Sequence, residues 1–219
     1  MSLKDMTILV TNADGGVGLA CAHALAAAGA GIVFSAGDDE SVRRVEGELQ
    51  MHGAPVYGLV TDTARSREVE SLLGEALRVF GDLNGAVVVP VAAADGLLLE
   101  TDDADLDRSL TAGVRAAYLI CQRTARIMVG RGHGGHLVLV DPAVAGGGAA
   151  AALTRDGLAG LARALATELR PHEIRVNAVV GGTSVAQITA VAALVRFLAG
   201  DRAAAVSGAV IDLGAAPRA

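Results

Sequence analysis

Short apolar runs of strand length alternate with longer helical patterns along the whole chain, and this alternation limits the fold more than any other feature. A β-α-β order repeated without interruption is typical of a parallel, doubly wound sheet with helices on both faces. The run Gly85–Val91 is strongly β-branched, as expected of a strand buried on both faces. The sequence therefore predicts an α/β fold.

The predicted elements follow the apolar spacing of each segment. No linker, charge block or change in composition divides the chain, so residues 1–219 are expected to form a single domain. Strands are predicted at Thr7–Thr11, Gly31–Ala36, Pro55–Val60, Gly85–Val91, His136–Val140, Arg175–Val180 and Ala209–Leu213. Helices are predicted at Gly16–Ala30, Glu40–His52, Ser66–Phe80, Asp103–Val129, Leu153–Arg170 and Ala186–Leu198.

Composition argues against several classes of function. A net charge of −6 and 2% aromatic residues disfavour nucleic acid, which needs cationic contacts to phosphates or stacking platforms. No apolar run has the length of a membrane span, and the N-terminus lacks the pattern of a signal peptide. We expect a cytoplasmic protein without a membrane partner. Cys21 and Cys121 lie in apolar runs and are expected to be buried free thiols.

A glycine-rich turn follows the first predicted strand. Residues 11–18 read Thr-Asn-Ala-Asp-Gly-Gly-Val-Gly and lead into the first predicted helix. Glycines at such a turn let the backbone approach a pyrophosphate, while the helix N-terminus supplies N–H groups and partial positive charge. Asp14 adds a negative charge to the same turn. The alternative is that these glycines only pack the helix against the sheet.

This turn resembles the Thr-Gly-x-x-x-Gly-x-Gly loop of the short-chain dehydrogenase/reductase family, with Asn12 in place of the first glycine. Asparagine tolerates left-handed backbone geometry better than most residues. The resemblance extends over nearly the whole chain, through segments 61–63, 81–84, 134–138, 158–169, 174–179 and 206–214. It implies a Rossmann-like fold and the cofactor-binding residues Thr11, Asn12, Gly16, Val17, Gly18 and Asp62.

The chain lacks the residues on which the family's chemistry depends. That chemistry needs a tyrosine followed four residues later by a lysine, but the single lysine is Lys4, far from both Tyr57 and Tyr118. By this resemblance, Ala151 stands at the tyrosine position and Arg155 at the lysine position. Asp141 or Pro142 stands at the serine position, and Gly113 stands at the asparagine position. Arginine can hold a ribose but cannot shuttle a proton.

The residues expected to line the cofactor site are also altered. The family's Asn-Asn-Ala-Gly appears here as Val88–Val91, and Ser35–Gly37 offers neither an acid for a ribose diol nor an arginine for a 2′-phosphate. Asp38 and Asp39 are candidates to replace the acid, and both would repel NADP. The segment at about 182–200 is shorter than the family's substrate-covering loop. We expect no dinucleotide or weak NAD(H) binding, with NADP disfavoured.

These features predict a protein that is inactive alone as an oxidoreductase and serves as a structural or regulatory subunit beside an active homologue. The resemblance implies assembly through the two long helices and the last strand. The corresponding segments are Asp103–Val129, Leu153–Arg170 and Ala209–Leu213, and they are well kept. A homo- or hetero-oligomer is expected, since a two-fold contact passes to a related sequence with modest changes.

Two other functions stay open. Asp141 and Arg155 are candidates for remodelled chemistry, either redox with an atypical proton donor or a non-redox lyase or cyclase reaction. A structural ion pair is the simpler interpretation of Asp141 and Arg155. Alternatively, the glycine turn belongs to a dinucleotide-sensing module. His133 and His136 lack a third ligand, so no metal site is predicted, and Thr154 lacks a base partner.

Overall fold

Seven parallel strands form one sheet in the order β3-β2-β1-β4-β5-β6-β7 in the computed structural model, which describes residues 3–91, 96–142, 148–181 and 184–213. The order reverses between β1 and β4, and in open α/β sheets this switch point forms a crevice at the carboxyl ends of the strands. The strands are β1 Thr7–Val10, β2 Gly31–Ala36, β3 Val56–Val60, β4 Gly85–Val88, β5 Gly135–Asp141, β6 Ile174–Val180 and β7 Val210–Asp212.

Helices cover both faces of this sheet. Successive side chains of a strand point to opposite faces, so Ile8 and Val10 pack on one side and Leu9 on the other. The first side is covered by α1, α2 and α7, and the second by α3, α5 and α6. The helices are α1 Gly16–Ala26, α2 Asp39–Gln50, α3 Ser66–Phe80, α4 Asp103–Leu110, α5 Ala116–Arg131, α6 Ala149–Glu168 and α7 Val185–Ala199.

The predicted α/β class and the order of its elements are confirmed. Gly31–Ala36 and Ser66–Phe80 agree at both ends, and most other bounds agree within one or two residues. The fourth strand is an exception, because it ends at Val88 rather than at Val91. Beyond that point the Val89 backbone bonds the Thr11 hydroxyl instead of a neighbouring strand, and Pro90 has no N–H to donate.

The first helix ends earlier than predicted. It stops at Ala26 rather than Ala30, because the chain turns there: the Gly29 N–H donates to the Ala26 carbonyl, and the Ala30 N–H returns to Leu25. Gly29 has a φ of 95°, a left-handed conformation that favours glycine. The turn brings the chain directly into β2.

The long helix predicted at Asp103–Val129 is divided. A π-helical turn, Thr111–Arg115, separates α4 from α5, and α5 continues to Arg131. Single π turns inside helices occur mostly at functional positions. The helix predicted at Leu153–Arg170 begins earlier, at Ala149, because the alanine run before Leu153 is helical.

Cys21 and Cys121 are buried free thiols, as predicted. Burial raises the pKa of each thiol to about 12, so both stay protonated at neutral pH. Within the described ranges, none of the helices combines the length and apolarity needed to cross a membrane.

Candidate functional site

The glycine turn lies at the carboxyl end of β1, beside the switch point. The Thr11 hydroxyl donates to the Val89 carbonyl at 3.0 Å and accepts from the Val89 N–H at 2.8 Å. The Thr11 N–H also donates to the Val87 carbonyl. These bonds fix the end of β1 to the segment that follows β4, and so define one wall of the crevice.

Asn12 preserves the turn although it replaces a glycine of the family motif. Its φ is 50°, the left-handed conformation that a glycine would adopt. The side-chain amide donates to the Val89 carbonyl at 2.6 Å, and the backbone N–H donates to the Ser35 hydroxyl at 2.8 Å. The asparagine side chain is therefore anchored toward the segment after β4.

The glycines of the turn have two different roles. A Cβ at Gly18 would overlap the carbonyl oxygen of Asn12, so this glycine is needed for packing the helix against the loop. A Cβ at Gly15 or Gly16 would meet no atom within 4 Å. Gly15 and Gly16 thus leave open space at the N-terminus of α1, where a pyrophosphate would fit. Val17 is buried in the core.

The carboxyl end of β2 receives a carboxylate from the glycine turn. Asp14 Oδ2 accepts a hydrogen bond from the Gly37 N–H at 2.8 Å, and Arg44 Nη2 donates to the Asp14 carbonyl at 2.5 Å. Asp38, one of the predicted acids, instead caps α2 by accepting from the Ser41 N–H at 2.8 Å. That bond is the main cause that lowers the pKa of Asp38.

Asp62 follows β3 and is held by its neighbours in the chain. Its two carboxylate oxygens accept from the Ala64 N–H at 2.9 Å and from Arg65 Nε at 3.0 Å. It borders a cavity of about 570 Å³ between this loop, Val91 and α4. The other lining residues are Ala64, Asp105, Asp107, Arg108, Ser109, Thr111 and Ala112.

The residues expected at the family's serine and lysine positions include an ion pair. Arg155 Nε on α6 donates to Asp141 Oδ2 at the end of β5, at 3.2 Å, and the Asp141 side chain is only 15% exposed. Burial raises the pKa of the Asp141 carboxyl, the hydrogen bond and charge of Arg155 oppose this, and the charge of Asp212 adds to it. Pro142 directly follows the strand and donates no hydrogen bond.

The positions expected for the family's asparagine and tyrosine are occupied by Gly113 and Ala151. Gly113 lies in the π turn, and a Cβ there would come within 2.5 Å of the Thr154 methyl group. The Thr154 hydroxyl donates to the Ala150 carbonyl at 3.1 Å. Ala151 is a half-buried residue of α6. Asp141 therefore bonds Arg155, and Gly113 packs against Thr154. Residue 151 has no hydroxyl group.

Neither tyrosine approaches these positions. Tyr57 lies in β3, which β2, β1 and β4 separate from β5, and its hydroxyl donates to Glu75 at 3.2 Å. Tyr118 lies on the exposed side of α5 and accepts from Gln122 Nε2 at 3.3 Å. The missing motif is thus not assembled from distant tyrosines.

His133 and His136 are in different environments, so they do not form a ligand pair. His133 contacts Asp82 at 3.0 Å near the surface. His136 is fully buried in β5, and among the described residues neither of its ring nitrogens has a hydrogen-bond partner. Burial, aided by the charge of Arg175, lowers the pKa of His136 to about 3. Three or more potential metal ligands meet nowhere in the described ranges.

Sequence reasoning missed two hydrogen bonds and one buried side chain. The Asp14–Gly37 hydrogen bond joins residues 23 apart, and His23 Nδ1 on α1 meets His52 Nε2, in the turn after α2, at 3.0 Å. The burial of His136 without a partner was also not foreseen. The one available signal for the Asp14 contact was Gly37, directly after β2. A glycine has no side chain to keep a carboxylate away from its backbone N–H.

The chain is similar to known proteins over most of its length. Residues 12–184 match the family described as Enoyl-(Acyl carrier protein) reductase. An uncharacterized oxidoreductase of Mycobacterium tuberculosis is 31% identical over 182 residues, which cover 81% of this chain and 67% of that protein. The chain belongs to the short-chain dehydrogenase/reductase family. A further relative, the hydroxy(phenyl)methylsuccinyl-CoA dehydrogenase subunit BbsD of Thauera aromatica, is 28% identical over 184 residues, covering 83% of this chain and 74% of that protein.

Solved structures of the family share the fold. A short-chain type dehydrogenase/reductase from Mycobacterium marinum superposes with a TM-score of 0.91 at 22% identity, covering 96% of this chain and 94% of that chain. NAD+-bound xylitol dehydrogenase gives a TM-score of 0.89 at 22% identity, covering 97% and 99%. The predicted Rossmann-like architecture is thereby confirmed.

Proposed function

We propose that this short-chain dehydrogenase/reductase is a non-catalytic subunit that stabilises or regulates an active homologue in the cytoplasm. The observation that carries the proposal is a complete family fold without the Tyr-x-x-x-Lys pair. Ala151 has no proton to transfer, and Arg155 replaces the lysine that would lower the pKa of a tyrosine. A guanidinium stays charged at every working pH and cannot shuttle a proton.

The short connection between β6 and α7 supports the same proposal. α7 begins at Val185, shortly after β6 ends at Val180, so little chain is available above the crevice. Closing segments exclude water from hydride transfer in many enzymes. A single domain with this shortened segment is suited to assembly rather than to enclosing a substrate.

A groove between α5 and α6 is the proposed contact surface for the homologue. It has a volume of about 610 Å³ and includes Tyr118 and Val129, which are 48% and 38% exposed. Leu161 and Leu165 line the opposite wall, on α6. Exposed apolar surface rimmed by polar residues marks interaction sites, and the homologue's equivalent helices are the proposed occupant. The Thauera aromatica relative is itself named as a subunit.

Dinucleotide binding is proposed to be weak and limited to NAD(H). Gly15 and Gly16 leave room for a pyrophosphate, so this end of the site fits. A bound nicotinamide ring would supply a hydride donor or acceptor. At that end, however, the chain offers Arg155 and Asp141 bonded to each other, rather than a tyrosine–lysine pair. Binding without turnover is the expected result.

The decisive experiment is purification from the native host followed by intact-complex mass spectrometry. We expect a second short-chain dehydrogenase/reductase with an intact Tyr-x-x-x-Lys motif to co-purify. Ala164→Arg places a charge in the groove and should dissociate that complex. Ala190→Arg makes the same change on an exposed turn of α7, on the other face of the sheet, and should leave the complex intact. Recovery of a homo-oligomer alone would refute the subunit proposal.

One observation favours a second function. Burial raises the pKa of Asp141, which brings this carboxyl closer to the range of a general base, with Arg155 beside it to bind an anionic group. This is the arrangement expected of remodelled redox or lyase chemistry. Loss of turnover of some substrate in Asp141→Asn, with assembly unchanged, would establish this second function.

A further inference from the structure

Three successive points along the carboxyl edge of the sheet are suited to three parts of one ligand. The cavity beside Asp62 follows β3, the Asp14–Gly37 contact follows β2, and the open glycines follow β1. These strands are neighbours in the sheet, in that order. An adenine, its ribose and a pyrophosphate are linked in the same order. The edge therefore matches the adenosine diphosphate half of a dinucleotide.

The middle point lacks its usual residue. Dinucleotide-binding folds place an acid at the end of β2, where it accepts hydrogen bonds from the ribose hydroxyls. Here that place holds Ala36 and Gly37, and Asp38 is turned away to cap α2. Asp14 brings a carboxylate to this same point from the glycine turn.

We propose that Asp14 is the residue that selects the ligand, accepting hydrogen bonds from an adenosine ribose with a free 2′-hydroxyl and excluding one with a 2′-phosphate. Oδ2 already accepts from the Gly37 N–H, at 2.8 Å. Oδ1 makes no hydrogen bond within the described ranges and is available to a ribose hydroxyl. A carboxylate accepts at both oxygens, so the Gly37 bond and a ribose bond are compatible.

The surrounding charges act in the same direction. The nearest bonded cation is Arg44, which donates to the Asp14 carbonyl and pairs with Glu48 Oε1 at 3.0 Å. One nitrogen of the Arg44 guanidinium thus bonds the Glu48 carboxylate and another bonds the Asp14 backbone. Two further acids, Asp38 and Asp39, begin α2 beside Gly37. A 2′-phosphate placed here would meet carboxylates, and like charges in close contact are unfavourable.

The inference rests on the weak dinucleotide site of the proposed function, but it is tested by affinity and not by turnover or assembly. Calorimetry on the purified full chain would give dissociation constants for NAD+, NADP+ and ADP-ribose. NAD+ and ADP-ribose should bind similarly, and NADP+ at least about tenfold more weakly, because carboxylate and phosphate are a few ångströms apart.

Two variants and a matched control make the test specific. Asp14→Asn removes the charge at constant size, and Asp14→Ser also removes the carbonyl group. Both should reduce the preference for NAD+ over NADP+ to about threefold or less, by the loss of this one repulsion. Asp5→Asn makes the same charge change at an exposed residue that precedes β1, at the opposite edge of the sheet, and should keep the wild-type preference. Circular dichroism would verify that each variant is folded.

The outcomes separate this inference from the subunit proposal. Failure of NAD+ and ADP-ribose to bind, or a preference that Asp14→Asn leaves unchanged, overturns the role of Asp14. An equal effect of Asp5→Asn overturns it as well, because the selection would then reflect overall charge. The absence of a partner subunit would overturn only the proposed function, since the affinities are measured on this chain alone.

Discussion

The unit formed by β1, α1 and β2 and the unit formed by β5 and α6 differ in how they respond to substitution. In the first unit, Asn12 replaces a glycine and still adopts the same left-handed turn, and the open space at Gly15 and Gly16 is kept. In the second unit, Asp141 and Arg155, the residues expected at two catalytic positions, bond each other. Both units belong to the same sheet. The first keeps the backbone geometry of its turn, whereas the second has an ion pair in place of the expected side chains.

The difference follows from what each site is made of. A pyrophosphate is bound mainly by backbone N–H groups and a helix N-terminus, which most sequences provide once the turn forms. Proton transfer depends on side-chain oxygen and nitrogen atoms, which a single substitution removes. A site built from backbone therefore survives changes that eliminate a site built from side chains.

The largest expected effect in the second unit is the pH dependence of stability caused by His136 in β5. Its pKa is about 3 in the folded chain and near 6.5 in the unfolded chain, so between these values only the unfolded chain binds the proton. Stability contributed by the neutral ring is complete above pH 6.5 and falls as the pH drops toward 3. We expect a loss of about 3 kcal/mol between pH 7.5 and 4.5, at roughly 1.4 kcal/mol per unit below pH 6.5.

Urea denaturation at the two pH values would measure this loss. His136→Leu removes the ring nitrogens that lack partners and should flatten the dependence while raising stability at pH 7 by about 1–2 kcal/mol. His172→Gln, at an exposed position, should keep the wild-type slope. An unchanged slope in His136→Leu would place the acid sensitivity elsewhere in the fold.

Gly18 provides the corresponding test in the first unit. Gly18→Ala places a Cβ on the Asn12 carbonyl oxygen and should lower the free energy of unfolding by about 3 kcal/mol, because the obstacle is backbone. Gly15→Ala, with open space and an extended φ of −171°, should change it by less than about 0.5 kcal/mol. Chemical denaturation of the two variants gives the comparison. Similar losses would contradict the two roles assigned to these glycines.

The Gly113–Thr154 contact is expected to couple the π turn to α6. Gly113→Ala brings a Cβ to 2.5 Å from the Thr154 methyl group and should cost about 2 kcal/mol. Thr154→Ser removes that methyl group and keeps the bond to Ala150, so it should recover at least about 1 kcal/mol of the loss. A double-mutant cycle of unfolding free energies would measure the coupling. Additive effects would show that the turn accommodates the methyl group in another way.

The smallest expected effect is at Asp141. Its pKa is raised on folding, so the stability that this carboxyl contributes is complete below its unfolded pKa and is lost as the pH rises through the folded value. Relative to wild type, Asp141→Asn should therefore have a more favourable effect on the unfolding free energy at pH 7 than at pH 3.5, while the loss of the Arg155 contact lowers stability by a similar amount at both pH values. Thermal unfolding at both pH values would measure this. A larger gain at the lower pH would reverse the sign assigned to the group.

Local patterns were enough to predict most of the fold. Apolar periodicity located Gly31–Ala36 and Ser66–Phe80, and the turn after β1 was evident from its glycines. The π turn at Thr111–Arg115 was not predicted, because the helical apolar pattern continues through it. It packs against α6 at Gly113 and Gly157, where a Cβ would meet Thr154 and Val114, and such contacts are tertiary.

The candidate site was predicted by position more than by contact. The sequence placed Asp141 near Arg155, and the structure joins them. It also suggested Asp38 as a ribose acid, whereas the helix N-terminus uses that carboxylate as a cap. The hydrogen bond of Asp14 to Gly37 depends on how β1 and β2 lie side by side, and residue spacing alone does not contain that information.

The two buried thiols have a practical consequence. Because Cys21 and Cys121 are enclosed and protonated, maleimide reagents should leave the folded chain unmodified. The chain is thus a natural background for site-specific labelling, without prior removal of cysteines. A single cysteine introduced at Arg163, an exposed residue of α6 outside the groove lining, would carry a fluorophore or spin label beside the groove between α5 and α6. Such a probe would report the arrival of a second subunit in real time.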